Sequence, residues 1–206
     1  MSQFFQIHPE NPQPRLIKQA AEILRQGGLA VIPTDCAYAL ACRIGDKRVT
    51  ERVQRLRQLG SKHNFTLLCR DLSELSFFAK VDNSEYRLLK AHTPGAFTFI
   101  LPATREVPRL LMHPKKRTIG IRVPDNPIAM ALLAEMDEPL MTTSLIMPGD
   151  DLPLSDPYDI RQTLEHQLEL VIDGGYCGFE ATTVVDMTEE TAVVTRQGAG
   201  DASAFL

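Results

Sequence analysis

Pro33-Thr34-Asp35-Cys36-Ala37-Tyr38-Ala39-Leu40 is the stretch that decides the fold, and it directly follows the apolar run 29–32. Because proline lacks an N–H and fixes φ, Pro33 cannot continue a sheet ladder, so the run predicts a buried strand that ends here. Thr34, Asp35 and Tyr38 would then lie just past the carboxyl end of a strand, where open α/β sheets hold ligands. These polar groups either bind a ligand or only cap a turn.

Other short apolar runs that end at turn residues predict further strands. They fall at 38–44, 65–69, 97–101, 118–123, 140–145, 168–173, 181–186 and 192–196, the last two as a hairpin. Helical spacing predicts helices at 16–24, 46–59 with Asp46 as the N-cap, 71–80, 83–91, 126–136 and 158–167, and a short helical turn at 107–112. This mixture predicts a single-domain α/β fold with a twisted mixed parallel and antiparallel sheet and flanking helices. Residues 1–13 would form a lead-in, 14–200 the domain and 201–206 a tail.

The composition is that of an ordinary globular protein, with 206 residues, 44% hydrophobic and 23% charged residues, and a net charge of −4. This charge gives no general attraction to nucleic acid. No apolar run approaches the ~18 residues of a membrane span, and the N-terminus lacks a signal pattern, so we expect a cytoplasmic protein without a membrane partner. The four cysteines lack C-x-x-C spacing and the five histidines are scattered, which predicts reduced thiols and no zinc or other metal site.

Two local segments are basic although the net charge of the chain is negative. One is a stripe of arginines at helical spacing with a lysine beyond it, and the other is a loop. Each is either a solvated surface or a surface that contacts RNA phosphates. These RNA-facing candidates are Arg48, Arg52, Arg55, Lys62, Lys115, Lys116 and Arg117.

Hydroxyl and guanidinium groups recur on predicted strands or strand ends. Each single threonine there is normally a solvent-facing strand residue. Thr98, however, alternates with Phe97 and Phe99 and so faces away from them, and Arg122 in the apolar run 118–123 needs an internal carboxylate or an anionic ligand as a partner. Collected on one concave face, such groups would bind a small polar ligand and phosphates by positioning and electrostatics, without a covalent intermediate and without a catalytic nucleophile.

Seven markers in order make the chain resemble the YrdC-like family, which includes the threonylcarbamoyl-adenylate synthases, and most of all its YciO branch. The markers are Pro33-Thr34-Asp35 with Tyr38 and Leu40, Pro94-Gly95 with Thr98, Arg122 in Ile-Arg-Val-Pro, Thr143-Ser144, Asp173-Gly174-Gly175, 182–186, and Arg196 with Gly198-Ala199. The resemblance spans residues 10 to 200. It implies a YrdC-like fold with a concave basic surface.

The resemblance also implies an activity of the nucleotidyltransferase type. Family synthases join L-threonine, bicarbonate and ATP into threonylcarbamoyl-AMP, release pyrophosphate with Mg²⁺ at the phosphates, and serve tRNA modification; the family is also associated with tRNA and double-stranded RNA. By motif position the substrate-binding residues would be Thr34, Tyr38, Arg122, Thr142 and Thr182. The nucleotide-binding residues would be Arg57, Thr98, Ser144 and Arg196.

The chain departs from the family pattern at two cationic or amide positions. The Lys-x-Arg motif falls on Arg57-Gln58-Leu59, and the Ser-x-Asn motif falls on Ser144-Leu145-Ile146. The loss of an arginine and an amide from a phosphate site reduces transition-state stabilisation by roughly several kcal/mol. The sequence therefore supports two hypotheses, a weak or altered synthase and an RNA- or nucleotide-binding protein without efficient catalysis.

Overall fold

The computed structural model describes residues 1–60 and 63–205, and within them ten strands form one mixed sheet. The strands are β1 (Gln3–Gln6), β2 (Ala30–Ile32), β3 (Ala39–Arg43), β4 (Thr66–Leu68), β5 (Phe97–Pro102), β6 (Thr118–Arg122), β7 (Leu140–Ser144), β8 (Leu170–Asp173), β9 (Thr183–Asp186) and β10 (Val193–Arg196). Their order is β1-β8-β2-β3-β7-β4-β6-β5-β9-β10. The sheet contains both parallel pairs, such as β4 with β6, and antiparallel pairs, such as β3 with β7. The predicted single-domain mixed α/β fold is confirmed.

Six α-helices flank the described sheet. They are α1 (Pro14–Arg25), α2 (Lys47–Arg57), α3 (Leu72–Phe78), α4 (Asn83–His92), α5 (Pro127–Met136) and α6 (Pro157–Leu164). The predicted cap of α2 is confirmed, since the Asp46 carboxylate accepts a hydrogen bond from the Val49 N–H and so pairs a donor that the first turn leaves free. Helix α4 begins with a complete capping box between Asp82 and Glu85.

Strand alternation divides the apolar residues between two cores, one on each side of the sheet. Leu40, Leu67 and Phe99 point into the larger core. Their neighbours Ala41 and Leu68 point to the opposite face, where α1 and α5 pack over them. Those two helices cover only one end of that face, so the rest of it stays open.

Polar and small residues occupy the open part of this face. Thr66 of β4 pairs with Thr142 of β7 on one side and with Gly120 of β6 on the other. A Cβ at Gly120 would lie 3.1 Å from Thr66 Oγ1 and 3.2 Å from Thr98 Cγ2, so glycine lets the two threonines approach each other across the strand. The sheet thus presents a row of hydroxyl groups that no helix covers.

Three elements differ from the sequence prediction. Strand β1, within the predicted lead-in, pairs in parallel with β8 and was not predicted. The predicted helical turn at 107–112 is a pair of turns in which Leu111 N–H donates to Pro108 O and Met112 N–H donates to Arg109 O. The predicted tail contains a 3₁₀ helix, Ser203–Phe205, whose Phe205 ring lies 5.9 Å from that of Phe97.

Short length explains why β1 escaped prediction. It has four residues, Gln-Phe-Phe-Gln, which show neither strict alternation nor a fully apolar run. Tertiary contacts hold it instead, since Phe4 packs 5.2 Å from the Tyr158 ring and under the Arg161 guanidinium. Within the described ranges, no helix combines the length and apolarity needed to cross a membrane.

Candidate functional site

The uncovered face of the sheet forms the floor of a cavity of about 430 Å³. Seven of the predicted site residues line it, and they come from β5, β6, β7, β10 and the segments just before β3 and β9. They are Tyr38, Thr98, Arg122, Thr142, Ser144, Thr182 and Arg196. The structure therefore brings together residues that lie up to 158 positions apart in the sequence. Thr34 and Arg57, the other two predicted residues, lie beside the cavity and not in its lining.

Arg122 forms an ion pair with Asp35, and this pair sits at the end of β6. Its Nη2 group donates a hydrogen bond to Asp35 Oδ1, and the two side chains are only 7% and 11% exposed. The internal carboxylate that the sequence left open as a partner is therefore present. The Arg122 Nε–H is nevertheless buried without a hydrogen-bond partner among the described residues.

Three predicted residues form a hydrogen-bonded cluster on the other side of the cavity. The hydroxyl groups of Thr98 and Thr182 lie 2.8 Å apart, and Arg196 donates to the Thr182 hydroxyl over 3.1 Å and to its carbonyl over 3.0 Å. Thr98 lines the cavity while Phe97 and Phe99 lie in the core, which confirms that it faces away from the aromatic residues. The cluster combines an exposed cation with two buried hydroxyls, a set that suits phosphate oxygens.

A second cation borders the cavity at the C-terminal end of α2. Arg57 Nη1 donates to the Thr143 hydroxyl over 3.0 Å and to the Ser144 carbonyl, and burial lowers the pKa of its guanidinium. His63 Nε2 lies 3.4 Å from the same Thr143 hydroxyl. Burial, together with the Arg57 charge, lowers the pKa of His63 to about 4. This histidine is therefore neutral at physiological pH, and Arg57 supplies the positive charge of this corner.

Two predicted residues use their hydroxyl groups within the protein. Thr34 Oγ1 donates to the Ala37 carbonyl and accepts from the Cys36 and Ala37 N–H groups, so it closes a turn. The Tyr38 hydroxyl donates to the Gly175 carbonyl over 2.6 Å and accepts from the Gly174 N–H over 3.2 Å. Both side chains fix the loop that carries Asp35. Their predicted contact with a substrate stays a prediction.

Buried polar atoms without a partner gather at the cavity. Five such side-chain atoms occur in the described residues, and three of them belong to Arg57, Asn64 and Arg122. Native proteins pair nearly all buried polar groups, since an unpaired group costs about 1–3 kcal/mol. Two of these atoms are donors and one is an acceptor, so their concentration here indicates that the cavity can exchange hydrogen bonds with a polar ligand.

The sequence analysis missed several residues that the structure places at the cavity. His63 and Asn64 lie in the connection before β4, where no periodic pattern marks them. Thr195 passed as an ordinary strand residue, and Thr143 was part of a family marker without being assigned a role in the site. Asp35 was quoted in the opening stretch as a group that either binds a ligand or caps a turn, and it was not among the predicted site residues; the structure places it beside the cavity as the partner of Arg122. Its neighbour Pro33 was the signal that could have pointed to it, because a strand end in a mixed sheet places the following side chain near the ligand edge.

The Cys177 thiol near the cavity is not activated. Cys36 and Cys177 are both free thiols, and burial raises the pKa of Cys177 to about 12. Cys177 is therefore protonated at neutral pH and is a poor nucleophile. In the described ranges no group of three or more His, Cys, Asp or Glu residues could hold a metal ion, and the cavity lining contains no carboxylate that would bind Mg²⁺.

The predicted RNA-facing residues occupy two separate surfaces. Arg48 and Arg55 are exposed on α2, but Arg52 is ion-paired at 2.9 Å with Glu169 and so is not available as a free cation. Lys62 lies outside the described residues. The loop residues Lys115, Lys116 and Arg117 are exposed. Lys116 and Arg117 also line a second groove of about 630 Å³ with other basic residues, namely Lys80, Arg105, Arg109 and His113.

Comparison with known proteins places these features in a family context. The model of the family described as Sua5_yciO_yrdC, telomere recombination, matches residues 22–198. An uncharacterised protein, YciO of Escherichia coli K12, is 57% identical over the full length of both chains, and the crystal structure of E. coli YciO superposes with a TM-score of 0.97 over all of both chains.

More distant relatives carry a named activity or ligand. A threonylcarbamoyl-AMP synthase of Pyrococcus abyssi is 28% identical over 88% of this chain and 54% of its own length. The structure of P. abyssi Sua5 complexed with L-threonine is 26% identical and has a TM-score of 0.87, over 96% of this chain and 58% of that one. The chain thus spans little more than half the length of these two proteins.

Proposed function

Because this chain belongs to the Sua5/YciO/YrdC family, we propose that it binds ATP, L-threonine and bicarbonate in the cavity and forms threonylcarbamoyl-AMP with release of pyrophosphate. The product would serve the threonylcarbamoyl modification of tRNA in the cytoplasm. One observation carries this proposal. The cavity joins a buried arginine with a free N–H, two bordering cations and a row of strand hydroxyls, and these groups are matched to a small carboxylate next to a polyphosphate.

The two substrates would occupy opposite sides of the Thr98–Thr182 hydrogen bond. Arg122, Thr142 and Thr182 are proposed to contact L-threonine, with Thr34 and Tyr38 shaping the loop on that side. Arg57, Thr98, Ser144 and Arg196 are proposed to contact the nucleotide. Because no carboxylate lines the cavity in the described residues, Mg²⁺ would come to the site on the ATP phosphates, and no step is assigned to it.

In this reaction the protein would act mainly by positioning the substrates. The threonine amine takes up the carbon of bicarbonate with loss of water, and an oxygen of the resulting carbamate displaces pyrophosphate from the α-phosphorus of ATP. The bond that breaks joins the α-phosphorus to its bridging oxygen, and the charge that leaves with pyrophosphate needs cations nearby. Arg57 and Arg196 border the cavity and would stabilise that charge electrostatically.

Pyrophosphate release tests this function directly. We expect release only when ATP, L-threonine and bicarbonate are all present. Thr98→Val should lower kcat/KM about 10-fold, because it removes the hydroxyl that holds Thr182 at 2.8 Å and faces the proposed phosphates. Thr118→Val is the matched control, since that buried threonine on β6 has an unpaired hydroxyl and does not line the cavity. Release that ignores threonine, or equal rates in both variants, would contradict the proposal.

A second candidate function is RNA binding, alone or with slow synthesis, and the basic groove favours it. Lys80, Arg105, Arg109, Lys116 and Arg117 gather there in a chain whose net charge is −4. Such a local concentration of cations is typical of a surface that contacts phosphates. The groove is proposed to bind the backbone of tRNA or of double-stranded RNA.

The salt dependence of RNA affinity checks this second candidate. Lys116→Ala should weaken binding of a tRNA transcript and reduce the slope of log K against log[salt] by about 1, because one phosphate contact is lost. Lys18→Ala is the control, since Lys18 is also exposed but lies on α1 outside the groove. If both variants keep the wild-type slope, or if the wild type fails to bind RNA at low salt, the groove is not an RNA surface.

A further inference from the structure

We propose that Thr183 is a positioning residue for ATP, because its hydroxyl group fixes the chain segment that follows Arg196. In this role Thr183 touches no ligand and acts only through Arg196. The inference rests on the proposed function, since it takes Arg196 as a contact of the nucleotide phosphates.

Thr183 lies behind the cavity and not in it. Its neighbours Thr182 and Val184 belong to the described lining of the cavity, whereas Thr183 does not, as expected when successive side chains of a strand point to opposite faces. Thr183 is fully buried. Because a buried hydroxyl group is normally hydrogen-bonded, the partners of this one indicate what it does.

The hydrogen bonds of the Thr183 hydroxyl go to the segment that follows β10. The hydroxyl donates to the Gly200 carbonyl over 2.6 Å and accepts from the Gly198 N–H over 3.0 Å. The Gln197 side-chain amide lies 3.5 Å from the same oxygen and donates to the Gly198 and Gly200 carbonyls over 2.9 Å each. One hydroxyl group therefore holds residues 197–200 in a compact loop, the Thr183 clasp.

The clasp lies directly against the backbone beside the cavity. The Ala199 N–H donates to the Ala181 carbonyl over 2.9 Å, and a Cβ at Gly198 would lie only 2.6 Å from the Thr182 carbonyl oxygen. Glycine is the residue that permits such a close approach of two backbones. The clasp thus fixes the chain two residues beyond Arg196 relative to Thr182.

Arg196 depends on the same short segment for its own position. Its Nε–H donates to the Thr182 carbonyl over 3.0 Å, and its Nη2 group donates to the Thr182 hydroxyl over 3.1 Å. Without the Thr183 hydroxyl, the Gly198 N–H and the Gly200 carbonyl would lose a partner, and the clasp would have to shift to pair them with water. Arg196 would shift with it, and a small displacement of a positioning group weakens its hold on a ligand.

Calorimetric titration with ATP and, separately, with L-threonine tests the inference. Thr183→Val keeps the shape of the side chain but lacks the hydroxyl, and it should weaken ATP binding about 10-fold. The affinity for L-threonine should stay within about 2-fold of the wild-type value, because Thr98 still holds the Thr182 hydroxyl at 2.8 Å. Thr183→Ser keeps the hydroxyl and should restore ATP binding.

Thr50→Val is the matched control. Thr50 is also fully buried, and its hydroxyl donates to the Asp46 carbonyl over 2.8 Å on α2, outside the described lining of the cavity. Both valine variants lose a buried, hydrogen-bonded hydroxyl, so both should lower the midpoint of urea unfolding. Only Thr183→Val should change the affinity for ATP.

Each outcome decides the question. If Thr183→Val binds ATP like the wild type, or weakens ATP and L-threonine by the same factor, the hydroxyl only stabilises the fold, and the inference is overturned while the proposed function stands. Failure of Thr183→Ser to restore ATP binding would overturn it too.

A second variant decides if Thr183→Val fails to fold. Gln197→Leu removes the exposed amide that closes the clasp from outside. A selective loss of ATP affinity in this variant supports the inference, and an unchanged ATP affinity overturns it. If the wild type binds no ATP, the proposed function fails, and the inference fails with it.

Discussion

Arg122→Ala is expected to lower the affinity for L-threonine at least about 100-fold and to abolish measurable pyrophosphate release. Arg122 is the buried cation of the cavity, and removing one partner of a buried, hydrogen-bonded charge pair typically costs about 2–5 kcal/mol of binding free energy. The same change leaves the Asp35 carboxylate without its partner, so the free energy of unfolding should fall by about 3–5 kcal/mol. Titration calorimetry and urea unfolding measure the two effects.

Two controls separate binding from folding for this variant. Arg43→Ala removes a surface arginine whose ion pair with Glu138 at 3.0 Å is largely exposed, and it should change stability by less than about 1 kcal/mol. The double variant Arg122→Met with Asp35→Leu removes both buried charges and should recover most of the stability without recovering threonine binding. Threonine affinity that survives in the double variant would place the amino acid elsewhere.

Restoring the two family residues is expected to raise kcat/KM for pyrophosphate release by about 100-fold. The change is Leu59→Arg with Ile146→Asn, which returns a cation and an amide to the proposed phosphate site; single donors of this kind contribute about 10²–10³ in rate. Leu59 follows α2 two residues after Arg57 and is partly buried against the core. An arginine can replace it because its aliphatic stem can cover the same apolar surface while its guanidinium extends beyond that surface.

A control tests whether the gain in kcat/KM comes from the position of the new groups and not from the added positive charge. Leu110→Arg places the same cation on an exposed leucine outside the cavity lining, so it should leave the rate unchanged. Steady-state rates at saturating L-threonine, with ATP varied, would show whether the gain lies in kcat or in KM. Equal activity of wild type and restored variant would mean that these two positions do not limit the reaction in this chain.

Much of the fold followed from the sequence because its signals are local. The alternation of Thr98 with Phe97 and Phe99 specified which face of β5 would be buried, and Asp46 marked the start of α2. Strand β1 had no such signal, because contacts with distant segments, such as its pairing with β8 and its packing on α6, hold it in place.

The site was less predictable because it depends on contacts between distant segments. The sequence indicated that Arg122 needed either a carboxylate or a ligand, but only the structure shows that Asp35 is in reach and that the Nε–H is still free. Likewise, the stretch from Pro33 to Leu40 contains both a residue that caps a turn and a residue that faces the site. Thr34 caps a turn, as a plain structural residue would, whereas the adjacent Asp35 turns its carboxylate to the cavity's arginine.

The hairpin of β9 and β10 places one wall of the cavity on the outermost strand of the described sheet. Strand β10 pairs with β9 alone, and its register shifts between Val194 and Arg196. Edge strands with few buried contacts open by local unfolding long before the whole domain does. Local opening of β10 would release the Arg196 guanidinium from Thr182, so we expect a bound nucleotide to leave on this side of the cavity.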